Sequence, residues 1–500
     1  MLKQLIPGFI LFLCIACSTE KKSGEEETRT VFRYNESKGI SSLDPAYARN
    51  QTLIWPVTKL FNGLVQLDDA LEVQPSVASR WEISEDGKRY TFHLRDDVWF
   101  HPSEYFADST RRVVAQDFVY SFNRILDPAV ASPGLWIFDR VDPERSFRAV
   151  DDTTLVIRLR EPFPPFLSIL SMPYCAVVPH EVTSGLGRGF ASRPVGTGPF
   201  MFRHWTRDEK LVFVKNPRYF ERDTAGNRLP YLDAVAITFI KDKQSEFLEF
   251  MKGNLDFLSG VHPAYKDELL TRSGTLNPKY KERFQLITEP YLNTEYLGFL
   301  MKEETGGGED PLQDVRVRRA INHGFDRKRM MKYLRNNLGY AATGGFVPGG
   351  LRGRLPEGKG YSYDPGRARR LLAEAGYPGG EGLPVITLTT TSDYRDLCEF
   401  IQYELGNLGI SLEINVSTGA SFRNMVANGN LDFFRGSWIA DYADAENYLA
   451  LFYSENFAPE GPNYTHFRNA QYDRWYEAAI SCVDKRKRTS LYRQMDSLLI

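Results

Sequence analysis

Between residues 364 and 434 the apolar pattern switches repeatedly between a helical period and an extended one. That alternation restricts the chain to folds that layer helices on a sheet. The stretch opens on DPGRARRLLAEAG at 364–376. Asp364 suits an N-cap, Pro365 the first helical position and Gly376 a left-handed stop. Ala368, Leu371, Leu372 and Ala375 then form one apolar stripe. Strand 385–390, helix 394–408, strand 411–416, helix 421–428 and strand 431–434 are expected to follow.

The same mixture runs through the rest of the chain, so a purely helical or purely β class is excluded. Residues 90–94 alternate faces directly after Glu85-Asp86-Gly87-Lys88, a hairpin signal. Further strands are expected at 154–159, 211–214 and 235–240, the last followed by a helix at 244–252. A long helix is expected at 315–334, and two final helices at 469–482 and 486–500. The chain stops at Ile500 inside the last of these, from which a missing C-terminal part is expected. A length of 500 residues corresponds to about three domains at roughly 150 residues each.

Charge and composition remove several function classes. There are 62 basic and 64 acidic residues, so no positive field is available for nucleic acid. Hydrophobic residues at 42% and charged residues at 25% exclude disordered, collagen-like and coiled-coil chains. The 26 tyrosines and 7 tryptophans suit a large core or a large pocket. Cys175, Cys398 and Cys482 are scattered singly, and the seven histidines have no metal-ligand spacing. No phosphate-binding loop or nucleophile elbow occurs, and Gly306-Gly307-Gly308 and Gly349-Gly350 read as turns. No cofactor and no metal are expected.

The N-terminus, MLKQLIPGFILFLCIAC, places one lysine before an apolar run that ends at Ala16-Cys17. It is too short to span a bilayer and reads as a secretory signal over 1–16. It resembles a bacterial lipoprotein signal, with lipid carried on Cys17; Cys14 stands where leucine is usual. A soluble secreted protein cut near Cys17 is the alternative. Residues 17–29 are polar and charged, as a tether would be. The expected location is the cell envelope, periplasmic or on the outer surface. No later stretch reaches 18 apolar residues.

Nine segments carry a wider resemblance. In order they are SLDPAYA (42–48), LFNGLVQLD (60–68), PSVASRWEISEDGKRYTFHLRDDVWFH (75–101), VVAQDFVYSFNRILDP (113–128), PVGTGPF (194–200), FVKNPRYF (213–220), DVRVRRAINHGFDR (314–327), YDPGRARRLLAEAGYPGG (363–380) and GSWIADYADAENYL (436–449). Together they resemble the extracellular solute-binding proteins of peptide and nickel ABC importers. The resemblance implies an α/β, bilobal periplasmic-binding-protein (Venus flytrap) fold with three discontinuous domains. Domain I would comprise 30–60, 190–285 and 475–500, domain II 61–189, and domain III 286–474. It also implies a non-enzymatic monomer that binds peptides between its lobes and delivers them to a membrane permease, touching the membrane through its lipid anchor only.

The resemblance also implies the site. Asp441, within Trp438-Ile439-Ala440-Asp441-Tyr442, matches the acidic residue that holds a peptide's α-ammonium. Arg435 matches an arginine that reaches a short peptide's carboxylate in some members. Trp438 and Ala440 would line the cleft, and Tyr296 would stand on a hinge-adjacent strand. Asn50 and Gln51 would offer backbone to the peptide, so that their identity would not matter. Gly134 stands where oligopeptide binders can carry a tyrosine, and Trp136 could substitute. An oligosaccharide or nickel-chelate receptor on the same fold, or a secreted hydrolase, are the rival readings.

Overall fold

A computed structural model describes residues 29–289, 291–302 and 310–500. The expected leader, Cys17, nearly all of the tether and the glycines at 306–308 lie outside the described residues. Among the described residues no helix is long and apolar enough to cross a membrane.

Three four-stranded sheets organise the chain. The first runs in the order Val31–Asn35, Ala234–Thr238, Lys210–Lys215, Phe200–Thr206. Its first pair is parallel and the others are antiparallel. The chain therefore leaves this sheet after Asn35 and returns to it only at Phe200. In between it builds a wholly antiparallel sheet, Ala78–Ile83, Arg89–Leu94, Thr154–Arg158 and Phe147–Ala149. Tyr90, Phe92 and Leu94 point inward, as the period-2 pattern requires, and Gly87 supplies the positive φ (67°) of the turn. The third sheet is mixed: Asn293–Phe299 antiparallel to Phe433–Ile439, then Ile386–Thr391 and Leu412–Ser417 parallel. Helices Arg395–Gly406 and Gly419–Ala427 make its parallel crossovers, as the alternation at 364–434 predicts.

The motif PVGTGPF joins the first two sheets. Gly198 N–H donates to Leu60 O (2.9 Å), and His101 N–H donates to Gly196 O (2.7 Å). A Cβ on Gly196 would lie 2.1 Å from Leu60 O, and one on Gly198 2.5 Å from Leu60 C. Both glycines are therefore sites of close backbone approach to the end of helix Gln51–Leu60. One continuous core follows, running from Tyr34 through Phe118, Ile157 and Phe190 to Phe239. A second core lies under the third sheet, built on Val317, Ile321, Ala368, Leu372, Leu388 and Leu405.

Helix Pro365–Glu374 forms as expected, with Asp364 Oδ1 accepting Arg367 N–H (2.8 Å) and Gly376 at φ 94°. The expected helix over 315–334 is instead two, Val315–His323 and Arg327–Leu334. Asp326 restarts the chain by accepting the N–H groups of Lys328 and Arg329. Gly324 fits closely against Leu405 and Leu408, where a Cβ would stand 2.5 Å from the first.

Helices Ala470–Ile480 and Lys485–Leu498 share a core with Val347, Leu351, Tyr448 and Leu449. The segment 475–500 thus packs mainly with the third set of residues, not with the first sheet as expected. Asp496 explains the difference. Its buried carboxylate accepts the N–H groups of Phe346 (2.6 Å), Val347 (3.2 Å) and Leu355 (2.8 Å), stapling the last helix to that loop.

A carboxylate among tyrosines

Strand Phe433–Ile439 carries the GSWIADY segment up to the loop of interest. Its register against Asn293–Phe299 pairs Trp438 with Thr294 and Gly436 with Tyr296. Trp438 and Tyr296 therefore share one face of the sheet. The hydroxyl end of Tyr296 lies over Gly436, where a Cβ would come within 2.4 Å of its ring, and the ring packs edge-on against Phe346, centroids 5.2 Å apart.

Beyond the strand, Asn447 organises the turn. Its Oδ1 accepts the Trp438 indole N–H (2.8 Å) and the Asp441 backbone N–H (3.2 Å). Ala440 N–H donates to Leu292 O (2.9 Å), and the Tyr448 hydroxyl donates to the same carbonyl (2.6 Å). Trp438, Ala440 and Asp441 are thus held as a unit.

Asp441 is solvent-exposed, yet the protein crowding its carboxyl pushes its pKa up, opposed by a side-chain hydrogen bond from Asn447. Among the described residues no lysine, arginine or histidine nitrogen lies within 4.0 Å of its carboxylate. Three tyrosines feel its charge instead: Tyr174, Tyr448 and Tyr464, each already raised by burial and raised further by Asp441. Tyr174 comes from the N-terminal part of the chain, and Arg49 acts on it in the opposite sense. Tyr174 is 6% exposed and its ring lies on Gly134, where a Cβ would stand 2.5 Å away. The space that a side chain at 134 would use is therefore filled by Tyr174. Trp136 packs against Tyr442 instead, centroids 6.2 Å apart.

Arg435 and Asn50 each have a partner within the protein. Arg435 lies three residues before Trp438 on a strand, so it faces the opposite side of the sheet. It is 7% exposed, pairs with Glu295 and lies over the Tyr394 ring. Its guanidinium is engaged there, on the face of the sheet opposite Trp438. Asn50 is not indifferent to identity: its Oδ1 accepts Leu53 N–H (3.3 Å) and caps helix Gln51–Leu60, with Gln51 exposed at the first position. Tyr174, Tyr448, Tyr464 and Asn447 are not singled out by the sequence. Only Asn447 and Tyr448, inside the GSWIADYADAENYL motif, carried a local signal.

Comparison with known proteins agrees with this architecture. The family described as bacterial extracellular solute-binding proteins, family 5 (middle), matches residues 72–459. The heme-binding protein A of Haemophilus influenzae is 29% identical over 498 residues, covering 95% of this chain and 86% of that protein. The dipeptide-binding protein of Escherichia coli is 26% identical over 453 residues, covering 87% and 80%. Among solved structures, the periplasmic binding protein DppA of Helicobacter pylori, in complex with the peptide STSA, superposes with a TM-score of 0.72 at 26% identity, covering 94% of this chain and 90% of that one.

Proposed function

The chain belongs to the bacterial extracellular solute-binding proteins of family 5, and from that premise we propose that it captures peptides for an ABC importer. Its fold is the bilobal periplasmic-binding-protein fold of that family. The reading is of a monomer, without enzymatic activity, that closes its lobes on ligand and presents it to a membrane permease. Domains I and II would form one lobe around the shared N-terminal core, and domain III with the last helices the other.

Asp441 carries the proposal. It is a carboxylate with no ion-pair partner among the described residues, and its charge acts on tyrosines from both halves of the chain. Such a group is completed by a cation, and a peptide's α-ammonium is the cation that every unmodified peptide brings. Trp438, Ala440 and Tyr296 would wall the adjoining space. Water filling the remaining volume would let side chains of many kinds be accepted. The names of similar proteins support the same ligand class: they include a dipeptide-binding protein and a receptor solved with a tetrapeptide.

Cys17 would carry the lipid that tethers the protein to the envelope, and that lipid would be its contact with the membrane. Cys17→Ser should release the protein from membranes, and wild type should label with a palmitate analogue. The ligand assignment is tested by native mass spectrometry of the purified protein, which should show retained peptide masses displaced by added Ser-Thr-Ser-Ala. Retention of a non-peptide solute, with no displacement, would refute it.

A further inference from the structure

Tyr442 follows Asp441 directly, but its side chain belongs to another part of the molecule. It is 7% exposed and, among the described residues, the one buried member of the N-terminal core that comes from beyond Phe239. Its ring lies against Trp136, which stands 39% exposed on the short turn Leu135–Phe138. The Tyr442 hydroxyl donates to Glu446, and the other oxygen of that carboxylate accepts the hydroxyl of Tyr476. Glu446 is itself buried, and its N–H donates to Asp444 Oδ1 (3.0 Å). The ring therefore crosses to the N-terminal half, while the hydroxyl is tied back to its own half.

The loop between these attachments has little freedom. Ala440 N–H is fixed to Leu292 O and Asp441 N–H to Asn447 Oδ1. Moving Tyr442 off Trp136 must disturb a backbone that also sets the Asp441 carboxyl. We propose that Tyr442 is a positioning residue that couples ligand capture to lobe contact: seating its ring on Trp136 sets Asp441 for the ligand's ammonium. This rests on the role given above to Asp441. It adds that the site is assembled only when the two halves meet, so a ligand that engages Asp441 stabilises the closed arrangement by its preference for it.

Trp136 allows the test, because an exposed surface ring can be removed without opening a core. Trp136→Ala, Trp136→Phe and Tyr442→Phe would be compared with wild type by calorimetry with Ser-Thr-Ser-Ala and its N-acetylated twin. Small-angle scattering would be recorded with and without peptide. Trp136→Ala should weaken binding of the free peptide roughly three- to thirtyfold, the scale of a lost aromatic pair. It should also narrow the ratio between free and acetylated peptides, enlarge the radius of gyration at saturation and leave the ligand-free melting temperature unchanged. Trp136→Phe should restore affinity and ratio. Tyr442→Phe, which keeps the ring and loses the tie to Glu446, should stay compact with peptide but narrow the ratio.

If Trp136→Ala matches wild type in affinity, ratio and compaction, Tyr442 is a packing residue and the proposal is overturned. If wild type binds neither peptide, the peptide reading fails separately and the ligand-free scattering still decides the contact. Trp136→Ala must then be more expanded than wild type, and equal radii would overturn the coupling.

Discussion

Arg124 holds Asp44 through two parallel hydrogen bonds, Nη1 to Oδ1 at 2.9 Å and Nη2 to Oδ2 at 2.6 Å. Asp44 is 3% exposed and also caps the turn Pro45–Tyr47 by accepting Ala46 N–H. Two of the recognisable segments, SLDPAYA and VVAQDFVYSFNRILDP, are therefore one structural unit built on a buried ion pair. Removing one partner leaves the other charge buried alone. Arg124→Met should cost about 3–5 kcal/mol in urea unfolding, and adding Asp44→Asn should recover part of it. A loss below about 1 kcal/mol would mean that the pair behaves like a surface one.

The paired glycines of PVGTGPF give a second prediction. A methyl group on Gly196 or Gly198 meets backbone of Leu60, which cannot rotate away as a side chain could. Gly196→Ala and Gly198→Ala should each lose about 1–3 kcal/mol or more by overpacking. Gly349→Ala, with no atom within 4 Å of the new Cβ, should stay within about 0.5 kcal/mol of wild type. Equal stability of all three variants would contradict the close approach.

His101 predicts a pH dependence. It is buried, with Nε2 3.0 Å from Gly198 O and Nδ1 accepting Gly196 N–H (3.2 Å). Burial pushes its pKa down from 6.5 to about 4, against the hydrogen bond to Gly198. A depressed folded pKa means that the unfolded chain binds the proton first. The contribution is complete above pH 6.5 and is lost as pH falls towards 4. Within that window wild type should lose up to about 1.4 kcal/mol per pH unit more than His101→Gln. The check is urea unfolding of both proteins at pH 7, 5.5 and 4.5; a constant difference between them would contradict it.

What the sequence made legible was local. Asp364, Pro365 and Gly376 act within one helix, and the elements that follow appear within a few residues of where the pattern puts them. The break at Gly324-Phe325-Asp326 was missed because the apolar period continues across it. Only the cap at Asp326 and the contact of Gly324 with Leu405 distinguish two helices from one. Arg435 came from the resemblance alone; its pairing with Glu295, on the face opposite Trp438, depends on the strand register. Tyr174 was invisible for a different reason: its ring lies on Gly134, whose missing side chain matters only once Tyr174 is known to lie there.

The central claim is that Asp441 receives a peptide's ammonium, and calorimetry tests it most directly. Ser-Thr-Ser-Ala and its N-acetylated twin would each be titrated into wild type and Asp441→Ala. Removing one partner of a charge-assisted pair in a water-poor site typically costs about 2–5 kcal/mol, or tens to thousands of fold in affinity. Wild type should therefore prefer the free peptide strongly, and the variant should bind it far more weakly while nearly losing the preference. The ligand-free melting temperature should be unchanged, because Asp441 is exposed and has no ion-pair partner among the described residues. Equal affinity of wild type for the two peptides would contradict the ammonium role and favour a ligand without that charge.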